Sequence, residues 1–320
     1  MCGIILALKI ETRGQNVRVI FDQIFILFAF TAIGFILAKR SVIKHEHSIL
    51  LSKLLVYVFL PANIIKTFSK NCTVSYICDN YIFIVVSAII VFLLTVLMHF
   101  AAKLFSRDQA ERSVYEYSLI IPNFGYMGYT FAETLFGSSG LMNAMMFALP
   151  LSFYTYTIGY CILSGKKPNL KNLINPPMIS LVIGSVLGLS GLGEFLPDTA
   201  FSFLDKASGC MAPISMLLTG IMISEYGIKN ILHNYSSYVV VLFRLFLIPT
   251  ALGAAVSLIG DTELTQITVL LFCMPCGLNP LVFGKNAGKR CERGAELVFV
   301  SNILACISIP LILLLFGIKI

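Results

Sequence analysis

Ten apolar stretches, each closed by charges or turn residues, run along the chain at 21–38, 48–68, 80–104, 112–135, 140–163, 174–192, 200–224, 235–259, 263–284 and 294–317. A helix that crosses the hydrocarbon layer needs about 20 mostly apolar residues, which is the length of these stretches. No alternating pattern of about ten residues recurs, so a β-barrel is not indicated. Charged residues make up 12% of the 320 and hydrophobic residues 58%, where a soluble domain carries about 25% charge. Mean hydropathy is +0.88. That balance excludes a soluble enzyme, a disordered chain and a fibrous protein. The expected fold class is an all-α polytopic membrane protein of ten transmembrane helices, multi-pass in the cytoplasmic membrane with the lipid bilayer as its solvent.

The net charge of +7 would suggest nucleic acid in a soluble protein. Here it reads as loop bias instead, and no nucleic-acid partner is expected. With ten spans, both termini share a side. That side receives seven basic residues: Lys9, Arg13, Arg18, Lys66, Lys70, Lys206 and Lys319. The other receives fourteen: Lys39, Arg40, Lys44, Lys103, Arg107, Arg112, Lys166, Lys167, Lys171, Lys229, Lys285, Lys289, Arg290 and Arg293. Positive loops stay inside, so both termini are expected outside. The N-terminal segment lacks the small-residue cleavage site of a signal peptide.

Four stretches read as less certain straight helices, with Pro61 in the second, Pro122 in the fourth, Pro213 in the seventh, and Pro275 and Pro280 in the ninth. Proline removes a backbone donor and crowds the preceding turn, so these helices are expected to depart from straightness. The prolines also reveal a repeat. Pro61 and Pro213 stand 152 residues apart, Pro122 and Pro275 153, and Gly137 and Gly288 151. Two halves of five spans follow, 19–165 and 172–318. Five is odd, so the second half enters the membrane from the opposite side. Such inverted repeats belong to secondary transporters.

Spans four and nine concentrate the breaks. Pro122, Asn123, Gly125 and Gly128 cluster halfway along the first; Pro275, Gly277, Asn279 and Pro280 lie at matching depth in the second. Irregular backbone at membrane depth is tolerated only when it is buried or lines a polar cavity. A break exposes N–H groups that suit an anion and C=O groups that suit a cation, and an asparagine amide both donates and accepts. Pro122, Asn123, Gly125, Pro275, Gly277 and Asn279 are therefore the candidate binding site. The bland alternative is a pair of packing kinks whose asparagines cap the freed backbone.

The run Ile121-Pro122-Asn123-Phe124-Gly125-Tyr126-Met127-Gly128, followed by Leu135-Phe136-Gly137, resembles the N-x-G-x-x-G-x-P block of the auxin efflux carrier family, with Thr130 where that family usually has proline. Met274-Pro275-Cys276-Gly277-Leu278-Asn279 resembles its P-x-x-x-N block, and Gly34–Pro61 and Asn175–Gly220 are similar to it as well. The resemblance covers nearly the whole chain, and the short link between halves resembles bacterial members. It implies the bile-acid-symporter/auxin-carrier fold, in which spans one, two, six and seven form a scaffold, with Pro61 and Pro213 shaping its wall, and spans three to five and eight to ten form a transport domain that moves like an elevator. It also implies small organic anions such as malate, malonate or an auxin-like carboxylate as substrate.

Arg244 lies about ten residues into span eight, ~14 Å deep at 1.5 Å per residue, where burial without a partner is costly. Two readings stand: an ion pair with Glu116 or Glu296, or a charge that attracts the substrate. Glu133, near the outer end of span four, reads as solvated. Cys72 and Cys78 share an external loop, and whether they pair is open. Cys273 and Cys276 have the spacing of a redox or metal motif but no second pair and no nearby histidine, and no histidine spacing suits a metal. No cofactor is expected. A channel, or a receptor derived from a transporter, is the alternative function. A membrane enzyme would need an acid–base pair, nucleophile or metal cluster, and none is visible. The coupling ion (proton, sodium or none) and a homodimer stay open.

Overall fold

The computed structural model describes residues 22–44, 46–167, 170–226, 235–281 and 292–318. Seven of its helices are long and apolar enough to cross a membrane: α1 (Asp22–Lys39), α2 (His47–Asn71), α4 (Ile82–Phe105), α6 (Phe124–Ser164), α8 (Asp198–Ser224), α9 (Tyr235–Ser257) and α11 (Glu292–Leu315). Shorter helices lie between them: α3 (Val74–Asn80), α5 (Gln109–Ile120), α7 (Pro176–Leu189) and α10 (Thr262–Phe272). The protein is an all-α polytopic membrane protein. Its apolar side chains stand outward as well as inward, with Phe92 and Leu104 on α4 largely exposed, as a lipid-facing surface requires.

The short helices begin at side-chain caps, each of which satisfies one of the orphan N–H groups of a helix start. Asp108 accepts from Glu111 N at the start of α5, and Asp261 from Leu264 N at the start of α10. These two caps stand 153 residues apart, the spacing of Pro122 and Pro275. Asn175 caps α7 by accepting from Met178 N, with proline in the first turn.

The four proline-bearing stretches diverge. α2 runs through Pro61 because the turn before it, Leu55–Phe59, widens to a π-helix. The extra residue leaves room where the proline ring would otherwise meet the carbonyl four residues back. Phe243–Leu247 does the same ahead of Pro249 in α9. α8 has a turn at Cys210 and stays helical through Pro213. Only at Pro122 and Pro275 does helix give way altogether, leaving α5 and α10 as short pieces of 12 and 11 residues. α6 counts 41 residues, about 61 Å at 1.5 Å per residue and twice the hydrocarbon thickness. It is interrupted at Gly137, whose φ of 70° and ψ of −162° are non-helical.

Two sets of neighbouring helices can be traced in the packing, and they also touch each other, α8 on α11 and α2 on α6. The half of α2 after Pro61 lies along α7, and the two halves of α8 pack on the two halves of α2. α1 meets α8 backbone to backbone. A Cβ on Gly34 would sit 2.2 Å from Leu217 O, and one on Gly220 2.0 Å from Thr31 O. Such reciprocal small-residue contacts are how helices associate in lipid, where apolar burial gives no preference for protein over solvent. In the second group, α4 packs on α5 and α6, α9 on α10 and α11, and α10 on α6. Cys72 and Cys78 are both free thiols, the first buried and the second exposed.

Candidate binding site at two crossed helix breaks

α5 ends as Ile121 turns extended (φ −104°, ψ 111°); α10 ends at Phe272, and helical backbone resumes at Asn279. The two extended segments lie antiparallel, with Pro122 opposite Cys276 and Asn123 N donating to Pro275 O at 2.8 Å. Proline lacks an N–H at both positions, so the bridge is thin. Cys276 N, which the 153-residue spacing makes the counterpart of Asn123 N, donates to Ser301 Oγ at 3.0 Å instead. A Cβ on Gly277 would meet Pro122 O at 3.5 Å, an ordinary van der Waals contact, so the approach of the two segments does not depend on glycine there.

A cleft opens on this crossing. Pro122, Asn123 and Gly125 line it from the first break, and Gly277 and Asn279 from the second. Tyr126, Tyr129, Ser152 and Tyr156 of α6 complete that side, while Leu60, Ile64 and Phe68 of α2 and Pro177, Met178 and Leu181 of α7 face it. Its volume is about 70 Å³, small against the ~300–1,000 Å³ of drug-sized ligand sites. Among the described residues, none that lines it carries a charged side chain.

Asn123 is buried and makes no side-chain cap bond to the helix it precedes, so the capping role is not what it performs. Beyond it the chain enters a π turn, Phe124–Gly128, closed by Gly128 N donating to Asn123 O at 3.0 Å. The N–H groups from Phe124 to Met127 have no carbonyl a turn behind them and form the positive end of the half-helix. Nothing lies within 4 Å of where a Gly125 Cβ would be, so this end is open to the cleft. Asn279 is held differently, its Nδ2 donating to Tyr117 OH at 2.7 Å. Tyr117 is fully buried, and Gly159 makes its space: a Cβ there would come 2.7 Å from the ring.

Arg244 is completely buried in the π turn of α9 and lies outside the cleft lining. Its Nη2 donates to Met274 O at 3.4 Å, and Cζ sits 5.6 Å from the Phe272 ring centre. The expected ion pair is not formed: Glu116 lies 3.3 Å from His99 Nδ1, and Glu296 binds Arg293 at 2.8 Å. Glu296 sits in the early turns of α11 and Glu116 in the second half of α5, each beside another basic group, whereas Arg244 lies mid-helix beside the second break. Glu133 is also not simply solvated. It accepts from Lys66 Nζ at 2.8 Å, and Lys66 reaches Asp205 at 3.1 Å. Pro61 is buried in α2 and Pro213 half-buried in α8; neither lines the cleft, and Pro275 contributes its carbonyl to the bridge rather than a wall. Cys273 and Cys276 are buried thiols. Gly288, part of the expected repeat, lies outside the described residues.

Sequence reasoning missed Tyr117, Gly159 and the three cleft tyrosines. The available signal was the density of phenols in otherwise apolar spans, since a buried tyrosine needs a partner for its hydroxyl. A second polar chain outside the cleft was missed as well. Tyr76 OH donates to Asn143 Oδ1, and Asn143 Nδ2 to Glu263 Oε1, both at 2.7 Å, which ties α3, α6 and α10 together. Burial, and after it the Glu263 charge, push the Tyr76 phenol up to about 12.

Seven long apolar helices among the described residues, around a cleft at two facing breaks, define a polytopic membrane protein. Residues 19–313 match the family described as Membrane transport protein. The chain belongs to this family, which is related to the auxin efflux carriers. It is similar to an uncharacterized transporter of Methanocaldococcus jannaschii, at 23% identity over 91% of this chain and 96% of the relative. A second uncharacterized transporter, from Methanothermobacter thermautotrophicus, is 22% identical over 87% of this chain and 92% of the relative.

Proposed function

We propose that the protein is a secondary transporter of a small organic anion, a compact carboxylate, that works by an elevator-type movement across the cytoplasmic membrane. The observation that carries this reading is the crossing itself. An unbonded Asn123 amide and the open amide end at Gly125 face a cleft that lies between the two helix groups. The cleft's small volume favours a compact solute over a bulky one.

The wider architecture belongs to the same proposal. Gly137 would divide α6 into the end of span four, begun by α5, and all of span five; α7 would be span six and α10 the first half of span nine, in a count of ten. Matched aspartate caps and matched prolines at a spacing of 153 residues support two inverted halves, and an antiparallel bridge is what a two-fold axis through the crossing would produce. The α1, α2, α7 and α8 group would be the scaffold and the other helices the transport domain. The loop charge bias puts both termini outside.

Uptake of labelled malonate and malate into proteoliposomes, with and without sodium or pH gradients, tests this. Wild-type protein accumulates at least one carboxylate, and Asn123→Ala and Asn279→Ala each cut uptake by about tenfold or more, the effect of losing one or two hydrogen bonds to a charged group. Currents far faster than carrier turnover would point to a channel. No carboxylate movement under any gradient would sink the anion reading.

A further inference from the structure

The crossing presents a puzzle of charge. α5 and α10 both direct their carbonyl ends at it, and the half-helix that starts at Phe124 directs an amide end at it. Helical backbone that resumes at Asn279 adds a second amide end. Opposed ends of this kind largely cancel. Among the described residues, the cleft lining adds no charged side chain. On these terms alone, the open amide end favours an anion only weakly over a neutral molecule of the same shape.

Arg244 is the full charge next to this arrangement. It is wholly buried, and among the described residues no carboxylate lies within ion-pair distance; Nε and Nη1 have no hydrogen-bond partner at all. Its one bond goes to Met274 O, at the carbonyl end of α10. The next residue, Pro275, accepts from Asn123 N. The guanidinium therefore sits one layer behind the bridge, connected to the cleft through two backbone contacts. A buried arginine balanced by a carboxylate would project no net field; this one is balanced by a carbonyl and a ring face only. In a site screened from water, such a charge acts over a longer distance than in solution.

We propose that Arg244 is the specificity-determining residue of the cleft. By neutralising the carbonyl end of α10 from behind, it leaves the amide end at Phe124 to Met127 dominant and makes the site select anions over neutral isosteres. It touches no substrate and acts through the backbone of the second break. This inference rests on the reading of the cleft as an anion site.

The test compares binding of malonate and of its neutral counterpart malonamide to purified protein in detergent by calorimetry, for wild type, Arg244→Lys, Arg244→Gln and Arg244→Met. Gln retains a donor for Met274 O without the charge; Lys retains the charge without the planar fork. Wild type should bind malonate more tightly than malonamide. Gln and Met, read on whichever gives monodisperse protein, should bind malonate about tenfold or more weaker with malonamide unchanged, and Lys should keep most of the preference. An unchanged malonate affinity in Gln or Met overturns the inference and leaves the anion site standing. Equal loss of both ligands also overturns it, because Arg244 would then only hold the break in shape. Failure of wild type to bind malonate overturns the anion site and this inference together.

Discussion

Asn279 and Asn123 occupy matching breaks but are held by different means, and the difference is carried by single residues. Asn279, half-buried at the cleft, is fixed by the hydroxyl of the fully buried Tyr117 at 2.7 Å, and leaving a buried polar group unmatched costs about 1–3 kcal/mol. Tyr117→Phe removes that partner without changing the ring. It should raise the half-saturating substrate concentration several-fold and lower the thermal midpoint in detergent, with purification otherwise normal. Gly159→Val should reproduce the phenotype, because its first added carbon already comes 2.7 Å from the Tyr117 ring and overpacking of this kind costs about 1–3 kcal/mol. If Gly159→Val transports like wild type, Tyr117 is not what orients Asn279. Asn123, Gly125 and Asn279 were legible because proline, glycine and asparagine impose their backbone effects locally. Tyr117 was not, since the bond it makes spans 162 residues and no local pattern marks it.

At the level of helices, the four prolines show where local reasoning stops. Each removes the same donor, yet Pro61 and Pro213 sit in continuing helices while Pro122 and Pro275 end them. The difference lies across the fold. The extended segments at Pro122 and Pro275 have each other to pair with, whereas Pro61 is absorbed by a π turn in its own helix. The ends of helices such as α1, α2 and α4, by contrast, were readable to within a few residues, because length and charge alone set them. The close crossing of α1 and α8 gives a prediction at this scale. Gly220→Val drives a side chain into Thr31 O, 2.0 Å from its Cβ, and should destabilise the detergent-solubilised protein by about 1–3 kcal/mol, seen as a lower thermal midpoint. Gly209→Ala, in the same helix but with nothing within 4 Å, should be neutral or slightly stabilising. Equal effects from the two would mean that backbone contact between α1 and α8 contributes nothing.

The whole molecule is tied across its two helix groups by Lys66. On α2, it reaches Asp205 on α8 within one group and Glu133 on α6 in the other. Glu133 and Asp205 are 41% and 71% exposed in this arrangement, so each pair is worth about 1 kcal/mol or less. A tie that weak could open on every cycle of the proposed elevator movement, while a stronger one would hold a single state. Covalent links at the same places separate motion between groups from motion within one. With Cys78 and Cys210 replaced by serine, a short bismaleimide joining Lys66→Cys to Glu133→Cys should abolish uptake. The same reagent joining Lys66→Cys to Asp205→Cys should leave uptake intact if, as proposed, α2 and α8 belong to one scaffold. Uptake that survives the first link would rule out movement of α6 against α2. Uptake lost to both would mean that α2 and α8 also move apart, and the division into a scaffold and a transport domain would be drawn in the wrong place.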